Sequence, residues 1–150
     1  MKIAFGCDHG GFVLKQEIVE YLKENGHEVI DFGTNDANSV DYSDYAYPVA
    51  NCIKNDEAQL GILICGTGIG MSIAANKVPG IRCAVVSDTF TAHATREHND
   101  ANIIAMGARV LGAGLAVDIV DTFIRTSFSG DERHQRRIDK ITEIEKQFTK

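Results

Sequence analysis

The sequence predicts an α/β protein in which a doubly wound sheet of five parallel strands is followed by a C-terminal helix. Short apolar runs alternate with segments of helical periodicity from the first residues onward. The run Leu60–Cys65 is apolar at nearly every position, as in a parallel strand covered on both faces. The 150 residues suffice for one sizeable core, so we expect a single domain over residues 1–150.

Five segments are predicted to be strands, joined by right-handed crossovers. The first begins at Lys2, and the turn sequence NGHEV separates the second from the helix before it. A chain of glycines follows the third strand directly. The predicted strands are Lys2–Cys7, His27–Phe32, Leu60–Cys65, Arg82–Val86 and Asn102–Met106.

The segments between the strands carry helical patterns. In GFVLKQEIVEYLKE, apolar residues at Phe12, Ile18, Val19 and Leu22 share one stripe. A long polar loop, GTNDANSVDYSDYAYP, leads into the second helix, and SFSGDE precedes an amphipathic last helix. The predicted helices are Gly11–Glu24, Tyr45–Lys54, Met71–Asn76, Thr89–Glu97, Leu111–Thr126 and Arg133–Phe148.

Composition narrows the possible functions. A net charge of −6 argues against nucleic acid or an anionic membrane as a partner, although a small anionic substrate needs only a local cluster of cations. No apolar run approaches the roughly 18 residues of a membrane span, and MKIAFGCDHGG does not have the pattern of a signal peptide. We therefore expect a cytoplasmic protein, in which four cysteines without CxxC spacing are free thiols.

Candidate functional residues follow the strands, because ligands of such sheets bind outside the carboxyl ends of the strands. Asp8 and His9 follow the first strand, Cys65 ends the third, and Asp88 follows the fourth. His98 precedes the fifth strand instead, so the order of elements does not place it at the same edge.

The glycine loop after Cys65 predicts backbone contact with a ligand. Gly66, Gly68 and Gly70 leave N–H groups open to an anion at the start of a helix. A tight turn is the simpler reading, but one glycine would be enough for it. Met71 stands where a dinucleotide-binding loop has its third glycine, and no Gly-Lys-Ser/Thr follows, so both nucleotide motifs are excluded.

Cys65 itself has two readings. It is either a small buried hydrophobe at a strand end or a thiolate favoured by the neighbouring N–H groups and helix start. A thiolate could act as base or nucleophile. The phosphatase pattern C-x5-R is excluded, because position 71 is Met71.

The histidines and arginines complete the candidate set. His93 and His98 lie five residues apart, about 140° around a helix, so they cannot chelate a metal from one face. His98 is either a solvated helix end or a catalytic residue. Arg133 and Arg137 project from one side of the last helix, either as a solvated face paired with acids or as a clamp for phosphate. Together these features favour proton transfer on a phosphorylated small molecule.

Four segments carry a resemblance over essentially the whole chain: GCDHGG, GILICGTGIGMSIAANK, REHNDANIIAMGARV and SGDERHQRRIDKI. Together they resemble the type B ribose-5-phosphate isomerases, in the family that includes galactose-6-phosphate isomerase subunits. The resemblance implies a Rossmann-like fold and interconversion of ribose 5-phosphate and ribulose 5-phosphate without metal or organic cofactor. It also implies homodimers, in some members tetramers, whose active sites are shared between subunits.

The resemblance also implies roles for individual residues. Cys65 matches the base that moves a proton between C2 and C1 through an enediolate, and His98 matches the residue that opens the furanose ring. Thr67 and the glycine loop match the segment that holds the enediolate charge, and Tyr42 falls near a segment lining the site. The matched substrate-binding positions are Asp8, His9, Gly66, Gly68, Ile69, Gly70, Asn99, Arg109 and, for phosphate, Arg133 and Arg137.

Two alternatives stay open at this point. One is an isomerase of a hexose 6-phosphate such as galactose or allose 6-phosphate, with substrate choice set by pocket size near Tyr42 and Cys65. The other is a non-catalytic module that binds phosphosugars, which the presence of Cys65, His98 and both arginines disfavours.

Overall fold

The computed structural model describes residues 1–150 and contains one five-stranded sheet, parallel throughout, in the order β2-β1-β3-β5-β4. The predicted fold class is therefore confirmed. None of its helices has the length and apolar character needed to cross a membrane. The elements are β1 Lys2–Cys7, α1 Phe12–Glu24, β2 Glu28–Asp31, α2 Tyr42–Lys54, β3 Leu60–Cys65, α3 Ile69–Ala75, β4 Cys83–Val85, α4 Thr89–Asn99, β5 Ile103–Gly107, α5 Ala113–Arg125 and α6 Glu132–Phe148.

Helices cover both faces of the sheet because the direction of the crossovers changes along the chain. Since each crossover is right-handed, α1 and α4 lie on one face with α5, and α2 and α3 lie on the other. Phe5 and Phe123 are fully buried in the core on the first face, and Leu63 and Met71 in the core on the second. This two-sided burial explains why the central strands are apolar at nearly every position.

The strand order creates a switch point between β1 and β3. From β1 the chain moves to one side to form β2, and from β2 it crosses over β1 to form β3. The loops after β1 and β3 therefore leave the same edge of the sheet in opposite directions and open a crevice. Asp8 and Gly66, the first residues after these strands, lie at this crevice.

The predicted start of the second helix was wrong by three residues. Helix α2 begins at Tyr42 rather than Tyr45, after Asp41 in extended conformation. Asp44 in its first turn complements the helix dipole, so the polar stretch that predicts a loop is compatible with a helix. The structure also begins α3 at Ile69 instead of Met71, and extends α4 to Asn99 instead of Glu97. The remaining elements match their predictions with smaller shifts at the ends.

Candidate active site

Seven of the predicted site residues lie together at the carboxyl edge of the sheet. We call them the strand-end group, and each lies at the end of β1, β3 or β5 or within three residues after it. Because β1, β3 and β5 are neighbours, their loops converge at one place. Gly10, in the loop after β1, approaches Gly66 so closely that a Cβ on Gly10 would lie 2.9 Å from the backbone nitrogen of Gly66. The strand-end group comprises Asp8, His9, Cys65, Gly66, Thr67, Gly68 and Arg109, and Ile69 and Gly70 begin the helix beside it.

Cys65 has a hydrogen-bond donor directed at its sulfur. The backbone N–H of Gly68 donates to Cys65 Sγ over 3.0 Å, and the side chain is 5 % exposed. An N–H aimed at sulfur stabilises negative charge there, as a base or nucleophile requires. The turn depends on Gly68, whose φ of 81° is left-handed and whose Cβ, if present, would lie 2.9 Å from the backbone carbon of Met106.

The ring of His9 is oriented by a backbone hydrogen bond. The backbone N–H of Val40 donates to His9 Nδ1 over 3.1 Å, and a nitrogen that accepts a hydrogen bond carries no proton. The ring proton is therefore on Nε2, where it can be donated to a ligand. Asp8 is buried, and its Oδ1 accepts the N–H of Gly11 over 3.0 Å, which leaves Oδ2 for a substrate hydroxyl.

Arg109 lies over the glycine loop. Its backbone N–H donates to the carbonyl of Gly66 over 3.0 Å, and a Cβ on Gly66 would lie 3.0 Å from the Arg109 guanidinium. The Thr67 hydroxyl accepts the N–H of Ile69 over 3.3 Å and is exposed. The loop thus combines backbone N–H groups, a hydroxyl and a cation beside one thiol.

Tyr42 touches the same loop. A Cβ on Gly70 would lie 2.8 Å from the Tyr42 ring, so the ring covers the backbone at the start of α3. Tyr42 is half exposed and forms one wall beside the loop. Sequence reasoning gave this residue little weight, because the family that the chain resembles often has Pro where Ser43 stands.

The other four predicted residues form a second group, which we call the helix-end group: His98, Asn99, Arg133 and Arg137. His98 and Asn99 end α4, and the two arginines lie in the first turns of α6. Helices α4 and α6 are joined here, because the backbone N–H of Ser129 donates to the carbonyl of Glu97 over 3.0 Å. All four members are exposed, so this end presents cations and amides to solvent.

Within one chain the two groups lie at opposite ends of the strands: the strand-end group at the carboxyl ends and the helix-end group at the amino ends. Gly61 pairs with Ile103 and Cys65 pairs with Gly107, so Cys65 lies four residues, about 13 Å, beyond the level at which β5 begins. The end of α4 precedes β5 and is fixed there by Arg82, whose Nε donates to the carbonyl of Asn99 over 3.0 Å. His98 of a chain therefore cannot act on a substrate held at Cys65 of the same chain.

The remaining cysteines differ from Cys65 in their surroundings. Burial raises the pKa of Cys7 to about 12, and burial likewise raises the pKa of Cys83 to about 12. Burial also raises the pKa of Cys52, in part with the negative charge of Glu57. All four are free thiols, as the sequence predicts.

Alkylation should therefore be selective. A raised pKa leaves the thiol protonated until the pH approaches the raised value, so at pH 8 roughly one in ten thousand Cys7 or Cys83 side chains is ionised. We expect iodoacetamide at pH 8 to modify one cysteine per native chain, Cys65, as measured by intact mass and peptide mapping. The Cys65→Ala variant should take up no label on that timescale, and labelling of Cys7 or Cys83 as fast as Cys65 would contradict the assignment.

An α/β sheet with a thiol, a glycine loop and an arginine at its switch point has the features of a site for a small anionic ligand. Residues 3–141 match the family described as Ribose/Galactose Isomerase, and the chain belongs to that family. It is 53% identical to the ribose-5-phosphate isomerase B of Escherichia coli over 144 residues, 96% of each chain.

Solved structures of relatives have the same fold. The ribose-5-phosphate isomerase B of Clostridium thermocellum superposes with a TM-score of 0.97 at 56% identity, covering 99% of this chain and 100% of that one. The Mycoplasma genitalium enzyme with bound ribulose-5-phosphate superposes with a TM-score of 0.90 at 45% identity, covering 97% and 96% of the two chains. The fold and family implied by the sequence resemblance are confirmed.

Two polar residues beside the helix-end group escaped sequence reasoning. His134 is buried with its ring against that of His98, at a centroid distance of 4.4 Å. The carboxylate of Glu97 lies 3.0 Å from His93 Nε2 and 3.3 Å from His98 Nε2. No spacing rule indicates the contact of His134, because it joins side chains of two different helices.

Proposed function

We propose that this chain is a sugar-phosphate isomerase that interconverts ribose 5-phosphate and ribulose 5-phosphate. The observation that carries the proposal is the Gly68 N–H at 3.0 Å from Cys65 Sγ, within a loop of open backbone N–H groups. One loop thus supports both a thiolate base and the oxyanion produced by proton removal. The E. coli and C. thermocellum relatives, which carry this enzyme's name, support the same substrate.

The chemistry assigned to this site is a pair of proton transfers. The Cys65 thiolate removes the proton from C2 of the open-chain aldose, and the electron pair forms the C1–C2 double bond and leaves the negative charge on O1. The N–H groups of the loop stabilise that charge. Return of the proton to C1 and transfer of the O2 hydroxyl proton to O1 give the ketose, so atoms and charge balance.

The substrate arrives as a furanose, and His98 is assigned to open it. Ring opening requires a proton on the ring oxygen as the C1 hydroxyl loses its own, which suits an exposed imidazole beside the Glu97 carboxylate. Arg133 and Arg137 are assigned to the phosphate. Their positive charges oppose the dipole at the start of α6, a cost that a bound dianion would offset.

We further propose that the working unit is a homodimer, with each site formed by the strand-end group of one chain and the helix-end group of the other. The separation of the two groups within a chain supports this arrangement. Exposed apolar side chains at the carboxyl edge and on α3 also support a covering partner, since such side chains are costly to leave in water. They are Ile69, Ile73, Val85, Phe90 and Val110.

The compartment is proposed on chemical grounds. Four free thiols in a chain of 150 residues favour a reducing environment, because disulfides form mainly in oxidising compartments. We therefore propose the cytoplasm. The substrate is a soluble phosphosugar, which needs no membrane.

The function is tested by following ribose 5-phosphate in D2O by proton NMR with the purified chain. We expect ribulose 5-phosphate to appear with deuterium at C1, because the thiol exchanges its proton with solvent between the two transfers. Galactose 6-phosphate and allose 6-phosphate serve as comparison substrates. Conversion of a hexose phosphate alone would replace the assigned substrate, and binding of ribose 5-phosphate without conversion would favour the non-catalytic module.

Arg137→Ala is expected to raise the KM for ribose 5-phosphate by about tenfold to a hundredfold with little change in kcat. A charge-assisted hydrogen bond to phosphate stabilises bound substrate and transition state alike, so its loss weakens uniform binding. The measurement is steady-state kinetics, with the exposed Arg136→Ala on the same helix as the matched control. An equal effect of Arg136→Ala, or a loss confined to kcat, would contradict the phosphate role.

A further inference from the structure

His134 is the one buried histidine of the chain and contacts the residue assigned to ring opening. It lies on α6 with 5 % of its surface exposed, and its ring meets that of His98 at a centroid distance of 4.4 Å and an interplanar angle of 34°. The side chain of His98 is 46% exposed. The His98 ring therefore packs against His134 and still reaches solvent.

Ser129 connects the ring of His134 to the end of α4. Ser129 Oγ lies 2.7 Å from His134 Nδ1 and accepts the N–H of Asp131 over 3.1 Å. The backbone N–H of Ser129 donates to the carbonyl of Glu97, the residue before His98, over 3.0 Å. Ser129 thus links the backbone of Glu97, next to His98, to the ring of His134 that packs against His98.

Burial and the charges nearby disfavour a proton on His134. Burial lowers the pKa of His134, and the positive charges of His98, Arg133 and Arg137 lower it further, against the opposing effect of Asp131. The groups that face His98 are the His134 ring and, on α4, the Glu97 carboxylate, which also contacts His93. The lowered pKa favours the uncharged form of His134, which suits a ring packed against another imidazole.

We propose that His134 is a positioning residue for ring opening: its buried ring, anchored by Ser129, packs against the ring of His98 and orients it. The inference rests on the proposed function. His134 touches no substrate in this role and acts through His98 alone. It should therefore matter for the cyclic substrate and not for an acyclic one.

Ribulose 5-phosphate provides the acyclic comparison. Its fifth hydroxyl carries the phosphate, so the ketose cannot close a furanose ring, and exchange of its C1 protons with D2O requires only the Cys65 steps. In His134→Asn, we expect kcat for ribose 5-phosphate to fall about tenfold, while C1 exchange of ribulose 5-phosphate stays within about twofold of wild type. His134→Phe keeps a flat ring but loses the contact with Ser129, so we expect it to lose less than His134→Asn, about threefold.

Two further variants provide a control and an independent test of the Ser129 contact. Gln135→Ala, on the exposed side of α6, should change neither reaction. Ser129→Ala removes the anchor from an exposed position and should reproduce the selective loss in a weaker form, about threefold, even if the buried substitution impairs folding. Circular dichroism establishes that each variant is folded.

The outcomes separate the possible roles. An equal loss in both reactions would mean that His134 only maintains the structure, and an unchanged ribose 5-phosphate rate would mean that it does nothing for His98. Either result would overturn the inference. A wild-type chain that converts no ribose 5-phosphate would overturn the proposed function, and this inference with it.

Discussion

Cys65→Ala is expected to reduce the turnover of ribose 5-phosphate by about a thousandfold and to leave the fold intact. The variant removes the thiol to which removal of the C2 proton is assigned, and a positioned general base contributes roughly 10²–10⁴-fold. The loss should appear in kcat, because the phosphate contacts that hold the substrate remain. The measurement is steady-state kinetics, with circular dichroism to verify folding.

The matched control is Cys52→Ala. Cys52 is also a buried thiol, but it lies in α2 and belongs to the core on the second face of the sheet. Its removal should cost at most a little stability and leave kcat near the wild-type value. A Cys65→Ala chain that retains a tenth or more of the wild-type kcat would show that another group takes the proton.

C1 exchange of ribulose 5-phosphate gives a second readout of the same substitution. Because exchange depends on the thiol directly, it should disappear in Cys65→Ala together with net conversion. In a variant that lacks only the ring-opening residue, exchange should persist. The two measurements therefore assign a loss to proton transfer or to ring opening without any assumption about binding.

The strand-end group is the part of the site that sequence reasoning locates well. Parallel strands that are buried on both faces appear as apolar runs, and their carboxyl ends must share one edge of the sheet. Asp8, Cys65 and the glycines between strand and helix could thus be placed together before any coordinates. The structure adds the donor at Cys65 Sγ and the tautomer of His9, which depend on the conformations of two loops.

The position of His98 could not be obtained in this way. Its place depends on where α4 ends relative to the sheet, and that follows from the order β3-β5-β4, which no local pattern specifies. The resemblance to the family implied that sites are shared between subunits. The chain's own geometry supplies a physical reason, because His98 and Cys65 lie at opposite edges.

Contacts between side chains of different elements are the least predictable feature. His134 lies in a strongly charged segment, DERHQRR, where hydrophobicity predicts exposure, yet packing against α4 buries it. Tyr42 contacts Gly70 because α2 starts earlier than its polar first turn suggests. In both cases the deciding quantity is the packing of one helix against another element, which depends on residues far apart in sequence.

A mixture of two inactive variants is expected to regain activity if the site is shared. His98→Asn should lower ribose 5-phosphate turnover by roughly a hundredfold, and Cys65→Ala by more. In a dimer containing one chain of each kind, one site combines the intact strand-end group of the first with the intact helix-end group of the second, and the other site carries both defects. Random pairing of equal amounts should restore about a quarter of wild-type activity.

A second mixture controls for effects of mixing itself. Cys65 and Arg109 both belong to the strand-end group, so a dimer of Cys65→Ala and Arg109→Ala chains has a defect in each site and should regain nothing. Chains are unfolded together and refolded, and native mass spectrometry measures the fraction of mixed dimers. Recovery in the first mixture and not in the second requires Cys65 and His98 to act across the interface. Mixed dimers without recovery would contradict the shared site. Each chain would then complete its own site, which would require α4 and α6 to move toward Cys65.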